Sequence, residues 1–390
     1  MNITCLACGA ACAAAWGCAQ AHDAHVQLYG GIDAGIVHFT GINTEPPDDA
    51  ASSGRTTTVT GLSQAGASGS YLGLRGGERL SPGLRVGFLA ETGFCNLGLS
   101  QPDAGGDPYC SGGGFMQRAA WVQLASGAGT LRLGRQVTML AEHSGEADAF
   151  GNSFLGQVGN ISLLGNNLAR LDMQRTDQTL SWFSAERAGL QLLAQYSRHA
   201  AALPVVPDPD DLHDPSALML GVRWRDARWL LGFDWSRWQH GIGSTEDLWD
   251  RSYRLSMLYA ALDLGGPRAY AQLQHGRADG FQGRELAFDV GLSLPAGHGT
   301  LMLSAGRFGT SLAAQPAQLG TSWARQFAIG YVLPLSPTTS LYASAAHIDN
   351  DAPAPGFPGT SLAVGAAGDL FHGVPGRASS GIGVGFSHTF

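Results

Sequence analysis

Charge is scarce in this chain: Asp, Glu, Lys and Arg together make up 14% of its 390 residues. With 44% hydrophobic residues beside so little charge, the polymer cannot remain disordered and must fold. The net charge is −8 and no basic stripe occurs, which excludes a nucleic-acid binder. Long apolar runs are missing as well. Beyond residue 21 nothing approaches the roughly 18 apolar residues of a membrane helix, so helical spanning is excluded. The signatures GxSxG, HExxH and GxxxxGK are absent, and with them any nucleophile, metal or phosphate site that spacing could reveal. Neither a metal nor a cofactor is expected, and catalysis is disfavoured.

Cysteine is nearly absent from the body of the chain. Cys5, Cys8, Cys12 and Cys18 fall within MNITCLACGAACAAAWGCAQA, an uncharged apolar stretch ending on Ala19-Gln20-Ala21, the small-residue pattern of a secretory cleavage site. Residues 1–21 are therefore expected to be a signal peptide and 22–390 the exported domain. Only Cys95 and Cys110 remain, in one Gly-, Asp- and Pro-rich segment. In an oxidising compartment they are expected to form one disulfide, contributing about 3 kcal/mol. With no CxxC and no adjacent histidine, zinc binding by this pair is disfavoured.

What the chain does have is alternation. Apolar and polar residues alternate over sixteen segments of about ten residues. They run at 26–37, 69–77, 84–93, 116–125, 130–136, 175–184, 190–198 and 217–225, then at 229–238, 252–262, 268–275, 284–294, 299–308, 323–333, 339–348 and 380–390. The connections alternate in size. ERLSPG, SGAG, RDAR, DLGGP, PAGH and PLSPT are tight, whereas the intervening ones are long and carry Pro, Asp, Gly and Asn. The 56 glycines follow no G-X-Y period and belong to turns and crowded strands.

A soluble sandwich has no reason to sort its loops by length onto alternate turns. A membrane barrel does: closure satisfies every backbone group, with short periplasmic turns and long external loops. The faces agree. In LRVGFLAE, Leu84, Val86, Phe88 and Ala90 oppose Arg85 and Glu91; in LMLGVRWR, Leu218, Leu220, Val222 and Trp224 oppose Arg223 and Arg225. Apolar outside and polar inside is the inverse of a soluble barrel. Tyr29, Trp182, Trp229, Trp235, Tyr331 and Phe390 suit interfacial girdles. The last segment, GIGVGFSHTF, would be an aggregation-prone edge in a soluble protein, but in a closed barrel it pairs with VQLYGGIDAGIV. The fold class expected is all-β: a transmembrane antiparallel 16-stranded barrel.

SYLGLRGGERLSPGLRVGFLAETGF, GTLRLGRQ, DAFGNSFLGQVGN, RQFAIGYVLPLSPTTSLYASAAHIDN and GIGVGFSHTF together resemble the general diffusion porins of β-proteobacteria, the neisserial type, from about residue 26 to the last residue. The resemblance implies a homotrimer of barrels in the outer membrane, in contact with lipid and lipopolysaccharide. It also implies a third external loop folded into the lumen as a constriction. Phe390 resembles the terminal aromatic that the outer-membrane assembly machinery recognises.

The inward loop is expected over residues 137–172, with Glu142, His143, Glu146 and Asp148. DAFGNSF aligns with an acidic loop element, Asn152 standing where a second Asp is common. Arg175 matches a pore-lining arginine, and by parity Arg175, Asp177, Thr179 and Ser181 face the lumen, as do Arg132, Arg75 and Arg85, with Arg135 at the loop entrance. Tyr71 stands where an arginine is frequent. Arg118 shares the parity of Ala120, Val122 and Leu124, which requires a position above the lipid band or a bulge. The function implied is passive diffusion of ions and small hydrophilic solutes. The alternatives are a substrate-specific channel, an outer-membrane hydrolase or an adhesin. The acidic runs PDPDDLHDPS and STEDLWD are expected in solvated external loops.

Overall fold

A computed structural model describes residues 24–43, 54–63, 69–94, 116–167, 171–202, 216–239, 252–278, 283–313, 319–352, 360–365 and 372–390. The expected signal peptide, Cys95, Cys110, STEDLWD and all but the last residue of PDPDDLHDPS lie outside the described residues.

The described chain forms one antiparallel sheet. Its strands are β1 (His25–Asn43), β2 (Thr57–Ser63), β3 (Ser70–Ser81), β4 (Leu84–Phe94), β5 (Ala119–Ser126), β6 (Gly129–Val137), β7 (Leu171–Ser184), β8 (Leu190–Ala202) and β9 (Ser216–Arg225). They continue as β10 (Trp229–Gln239), β11 (Ser252–Asp263), β12 (Arg268–Ala278), β13 (Arg284–Ala296), β14 (Gly299–Ala313), β15 (Leu319–Ser336), β16 (Thr339–Asn350), β17 (His372–Gly373) and β18 (Ser379–Thr389). Helix α1 (Met139–Glu146) and a 3₁₀ turn (Val158–Asn160) lie between β6 and β7.

Around the circumference there are sixteen positions. β3 pairs with His25–Gly31 of β1 and β2 with the upper part of the same strand, from Gly35 to Ile42, so the two share one position. β17 adds only two residues beside Ile42 and Asn43. β2 was not marked by alternation, because its small, polar sequence TTVTGLS has few large apolar residues to alternate.

Closure is made by β1 and β18, in register from Gly31 opposite Thr389 to Thr40 opposite Ser380. Beyond the last rung the Phe390 amide donates to the Gly30 carbonyl at 3.0 Å, and the Gly30 amide returns the bond to Phe390 at 3.1 Å. Gly30 is required by space: a Cβ there would meet the Phe390 ring at 2.6 Å and the Tyr71 carbonyl at 2.8 Å. The tight turns sit at one end, and glycines in the left-handed region serve three of those named above, Gly83 (φ +81°), Gly265 (φ +84°) and Gly297 (φ +60°).

The outer surface carries Leu180, Leu218, Phe233, Leu258, Val290, Phe327 and Ile382, all exposed. The inner face carries Thr179, Ser181, Gln195, Gln272, Gln274, Gln326 and Ser344, all buried. Trp182 and Trp229 lie on the outside as expected, but Tyr29 does not. Its hydroxyl donates to Glu91 at 2.8 Å within the barrel, because it shares the parity of Gln27 and Asp33, opposite Leu28 and Ile32.

Gly30→Val is expected to force the seam apart and cost about 1–3 kcal/mol. Heat-modifiability on denaturing gels reads this as a lower unfolding temperature, and an unchanged one would contradict the seam geometry.

Candidate functional site: the lumen and its inward loop

At the end of β6 the chain turns into the barrel. Thr138 caps α1: its hydroxyl accepts from the Ala141 amide at 3.1 Å and donates to the Met173 carbonyl at 2.7 Å, tying the helix to β7. From there the loop is bonded to one strand after another. Gln195 of β8 accepts from the Met139 amide (2.7 Å), and Arg223 of β9 donates to both Glu146 oxygens (3.1 and 3.2 Å). His143 Nδ1 lies 2.7 Å from Asp234 of β10 and its ring stacks on Tyr259 of β11 at 4.9 Å. Ser144 donates to Gln272 of β12 (2.9 Å), and Ser162 donates to Gln274 (3.0 Å). Asn160 donates to Gln326 of β15 (2.8 Å), and the Leu155 amide to Ser344 of β16 (3.4 Å).

Apolar contacts fill the spaces between these bonds. A Cβ at Gly221 would sit 2.3 Å from Met139, at Gly291 2.7 Å from Ala149, at Gly306 2.2 Å from Ile161 and at Gly330 2.7 Å from Phe150. The wall glycines are hollows that receive the loop. Met139, Leu140, Phe150, Ile161 and Leu163 are fully buried there, each worth about 1.5–3 kcal/mol.

Asp148 organises the loop's own backbone. It accepts from the amides of Phe150 (3.1 Å), Asn152 (2.9 Å) and Val158 (3.1 Å). Burial pushes its carboxyl up to about 6 against the pull of those three amides. It is therefore a buried structural carboxyl and does not line the bore. Asn152 adopts φ +54°, a left-handed conformation that Asn tolerates better than most residues.

The opposite wall, β3 to β6, carries arginine, whereas β1 buries Val37 and Phe39 in the same hydrophobic cluster as Leu155 of the loop. Arg75 donates to Gln27 at 3.0 Å and lies over the Tyr29 ring at 4.9 Å. Arg132 bonds Gln123 (3.2 and 3.3 Å) and lies 4.2 Å over Trp121 and 5.0 Å from Phe183. Arg85 faces inward directly opposite Arg79, which alternation also places inside but which sequence reading passed over. Arg118 is bonded to Glu91 at 2.6 Å and lies over Tyr71 at 5.1 Å. It precedes β5, after Met116 at φ +67°, and this re-aims it inward against its parity. Glu142 is exposed on α1 and its charge acts on Arg132.

Two expected lumen residues, Asp177 and Arg175, and Arg135 of the loop entrance stand elsewhere. β6 pairs Gly134 with Thr179 but Gln136 with Thr176, so Asp177 and Gln178 form a bulge, with Gln178 at φ +47°. Thr176, not Asp177, joins Thr179 inside, their hydroxyls 2.8 Å apart. Asp177 instead pairs with Arg135 at 2.6 Å, and Arg135 shares the parity of the exposed Leu131 and Leu133. Arg175 donates to the Arg118 carbonyl at 3.1 Å, beside the loop's return. Glu146 is inside but neutralised by Arg223, a partner 77 residues away in sequence.

A barrel with an inward third loop facing a charged wall is the architecture of a diffusion channel, and the sequence comparisons define the class. The Gram-negative porin family model matches residues 4–353, and the chain belongs to that family. An outer membrane porin protein of Bordetella pertussis is 27% identical over 394 residues, covering 90% of this chain and 95% of that one. Among solved structures the anion-selective porin from Comamonas acidovorans superposes with a TM-score of 0.71 at 23% identity, over 94% of this chain and 100% of that one. The trimer form of OmpT from Vibrio cholerae does so at 0.61 and 14% identity, over 95% and 100%. The protein is a porin channel of the outer membrane, of the β-proteobacterial type.

Two outcomes test this geometry. Gly291→Ala is expected to push Ala149 and the loop into the bore and lower single-channel conductance, with recovery on adding Ala149→Gly. Asp148, protonated in the fold up to about 6, stabilises most below its ordinary value and loses that contribution as pH rises. Thermal stability should thus decline between about pH 4 and pH 6, and Asp148→Asn should flatten that interval.

Proposed function

We propose that the barrel is a general diffusion pore for small hydrophilic solutes, with a preference for anions. The observation that carries this reading is an imbalance in pairing. Arg75, Arg79, Arg85 and Arg132 face the bore and form no ion pair with a described residue. The carboxylates Glu91 and Glu146 are each held by an arginine. Among the described residues Glu142 is then an acidic charge left to face the arginine wall, and the field between them crosses a narrow aqueous path that admits dipolar solutes and disfavours bulky apolar ones.

The arginines that stack on Tyr29, Trp121 and Phe183 are held flat without losing their charge. They form an ordered cationic track instead of a flexible brush. The anion-selective porin from Comamonas acidovorans supports the same preference, and the trimer form of the Vibrio cholerae protein supports assembly as a homotrimer. In this reading β18 together with Phe390 is the segment presented to the outer-membrane assembly machinery.

Reversal potential across a bilayer in a salt gradient tests the preference. The expected sign is that of anion permeability, and Arg75→Gln with Arg132→Gln should lower the anion-to-cation ratio several-fold while keeping ohmic conductance steps. A cation-selective reversal potential in the unaltered protein would overturn the reading.

A further inference from the structure

The loop fills the hollows left by Gly221, Gly291, Gly306 and Gly330, but two glycines of the arginine wall have only the wall itself for near neighbours. Gly77 of β3 stands directly opposite Gly87 of β4. A Cβ at Gly87 would meet the Gln123 side chain at 3.3 Å and the Gly76 carbonyl at 3.5 Å, and one at Gly77 would meet the Val86 carbonyl at 3.0 Å. Bare backbone on two adjacent strands makes a flat floor, and glycines so placed let a ligand come close to the main chain.

Strand register fixes what surrounds this floor. In its own row His25 of β1 lies opposite Gly77, Gln123 of β5 opposite Gly87, and Arg132 of β6 opposite Gln123. One inward position nearer the tight turn, Arg79 lies opposite Arg85. One inward position the other way, Arg75 lies opposite Leu89 and Leu89 opposite Trp121. His25, Gly77, Arg79, Arg85, Gly87 and Gln123 line a recess of about 470 Å³, a volume in the range of small-molecule sites. The tight-turn end of an outer-membrane barrel is periplasmic, so the recess lies toward that mouth of the bore.

Charge and shape together say what fits. Directly opposed residues have Cβ atoms about 5 Å apart, and like charges so placed repel unless an anion sits between them. Arg79 and Arg85 have no ion-pair partner among the described residues. A carboxylate would meet their guanidinium groups in paired hydrogen bonds. An inorganic anion would serve the arginines equally but leave the floor and the aromatic edge unused. Arg132, bonded to Gln123 at that edge, lies 4.2 Å over the Trp121 ring, and Arg75 lies 4.9 Å over Tyr29. Guanidinium planes held against rings are themselves stacking surfaces, and a flat ring laid on bare peptide beside them gains contact that a puckered one does not.

We propose, building on the anion-preferring pore described above, that this recess is a binding site for small aromatic carboxylates. The carboxylate sits between Arg79 and Arg85, and the ring lies on Gly77 and Gly87 with Trp121 and Arg132 at its edge. The channel then holds this class of anion briefly on its way through instead of passing all small anions alike.

The test uses the full purified protein in planar bilayers, reading chloride current while benzoate, cyclohexanecarboxylate or acetate is added to both chambers. Benzoate and cyclohexanecarboxylate share charge and are close in size, but the second is more apolar and not planar, so unspecific partitioning would favour it. Benzoate is expected to reduce the chloride current at concentrations about 10-fold below either of the others. Arg79→Gln with Arg85→Gln should raise the benzoate concentration needed by about 10-fold. Gly87→Val, which stands a branched side chain on the floor, should bring benzoate level with cyclohexanecarboxylate. Ohmic steps show that each variant has folded, and the comparison of the three anions is made within each channel. Equal potency of benzoate and cyclohexanecarboxylate in the unaltered channel would overturn the proposal, as would undiminished benzoate action in the folded arginine variant. Either result beside an anion-selective reversal potential strikes the aromatic site and leaves the pore's preference standing, whereas a cation-selective potential strikes both.

Discussion

In hydrocarbon an unmade backbone hydrogen bond has no water to fall back on, and the whole architecture answers to that constraint. Strand β1 is the member on which it presses hardest. It pairs with β18 on one side and divides its other side between β2 and β3, so the first strand of the described chain closes the ring. The reciprocal bonds between Gly30 and Phe390 complete the ladder at the terminus, and the missing Cβ at Gly30 is what lets the aromatic ring lie there. Once the ring is closed, side-chain parity decides what faces lipid and what faces the lumen wherever the strands run without a bulge.

Inside, the wall is solved twice by different chemistry. From β8 to β16 it is lined with Gln, Ser and glycine hollows that accept the loop, with Gln195, Gln272, Gln274 and Gln326 each bonded to a loop amide or side chain. From β3 to β6 it carries arginines, of which Arg75 and Arg132 rest on aromatic rings. Buried amides without partners would cost more than they return, which is why the loop's backbone, the Gln side chains and Asp148 form one connected network.

Much of this was legible in the sequence. Strict alternation gives strands, loop lengths sorted by turn give a barrel, and the face assignments of Arg75, Arg85 and Arg132 follow by counting in twos. Counting fails where the backbone does not keep its period. The bulge at Asp177 and Gln178 moves Thr176 to the inside and sends Asp177 to Arg135, and the irregular approach to β5 turns Arg118 inward. A single residue with positive φ leaves no trace in an apolar pattern. Long-range pairing is equally silent, since nothing near Glu146 announces Arg223. Asp148 shows a third limit: an acidic residue in a pore loop reads as a pore charge, while three amide donors make it part of the scaffold.

The glycine hollows have a consequence for how such a channel can change. Because anchorage occupies one sector of the circumference and transit the other, the two duties are held by separate sets of strands. Substitutions along β3 to β6 can retune which solutes cross, in charge or in girth, without loosening the plug. Changes between β9 and β15 act instead on the plug's seating and alter permeation only by dislodging it. On the function proposed above, the aqueous path runs off-centre, hugging one flank of the cylinder, and its chemistry can drift independently of the frame that holds it open.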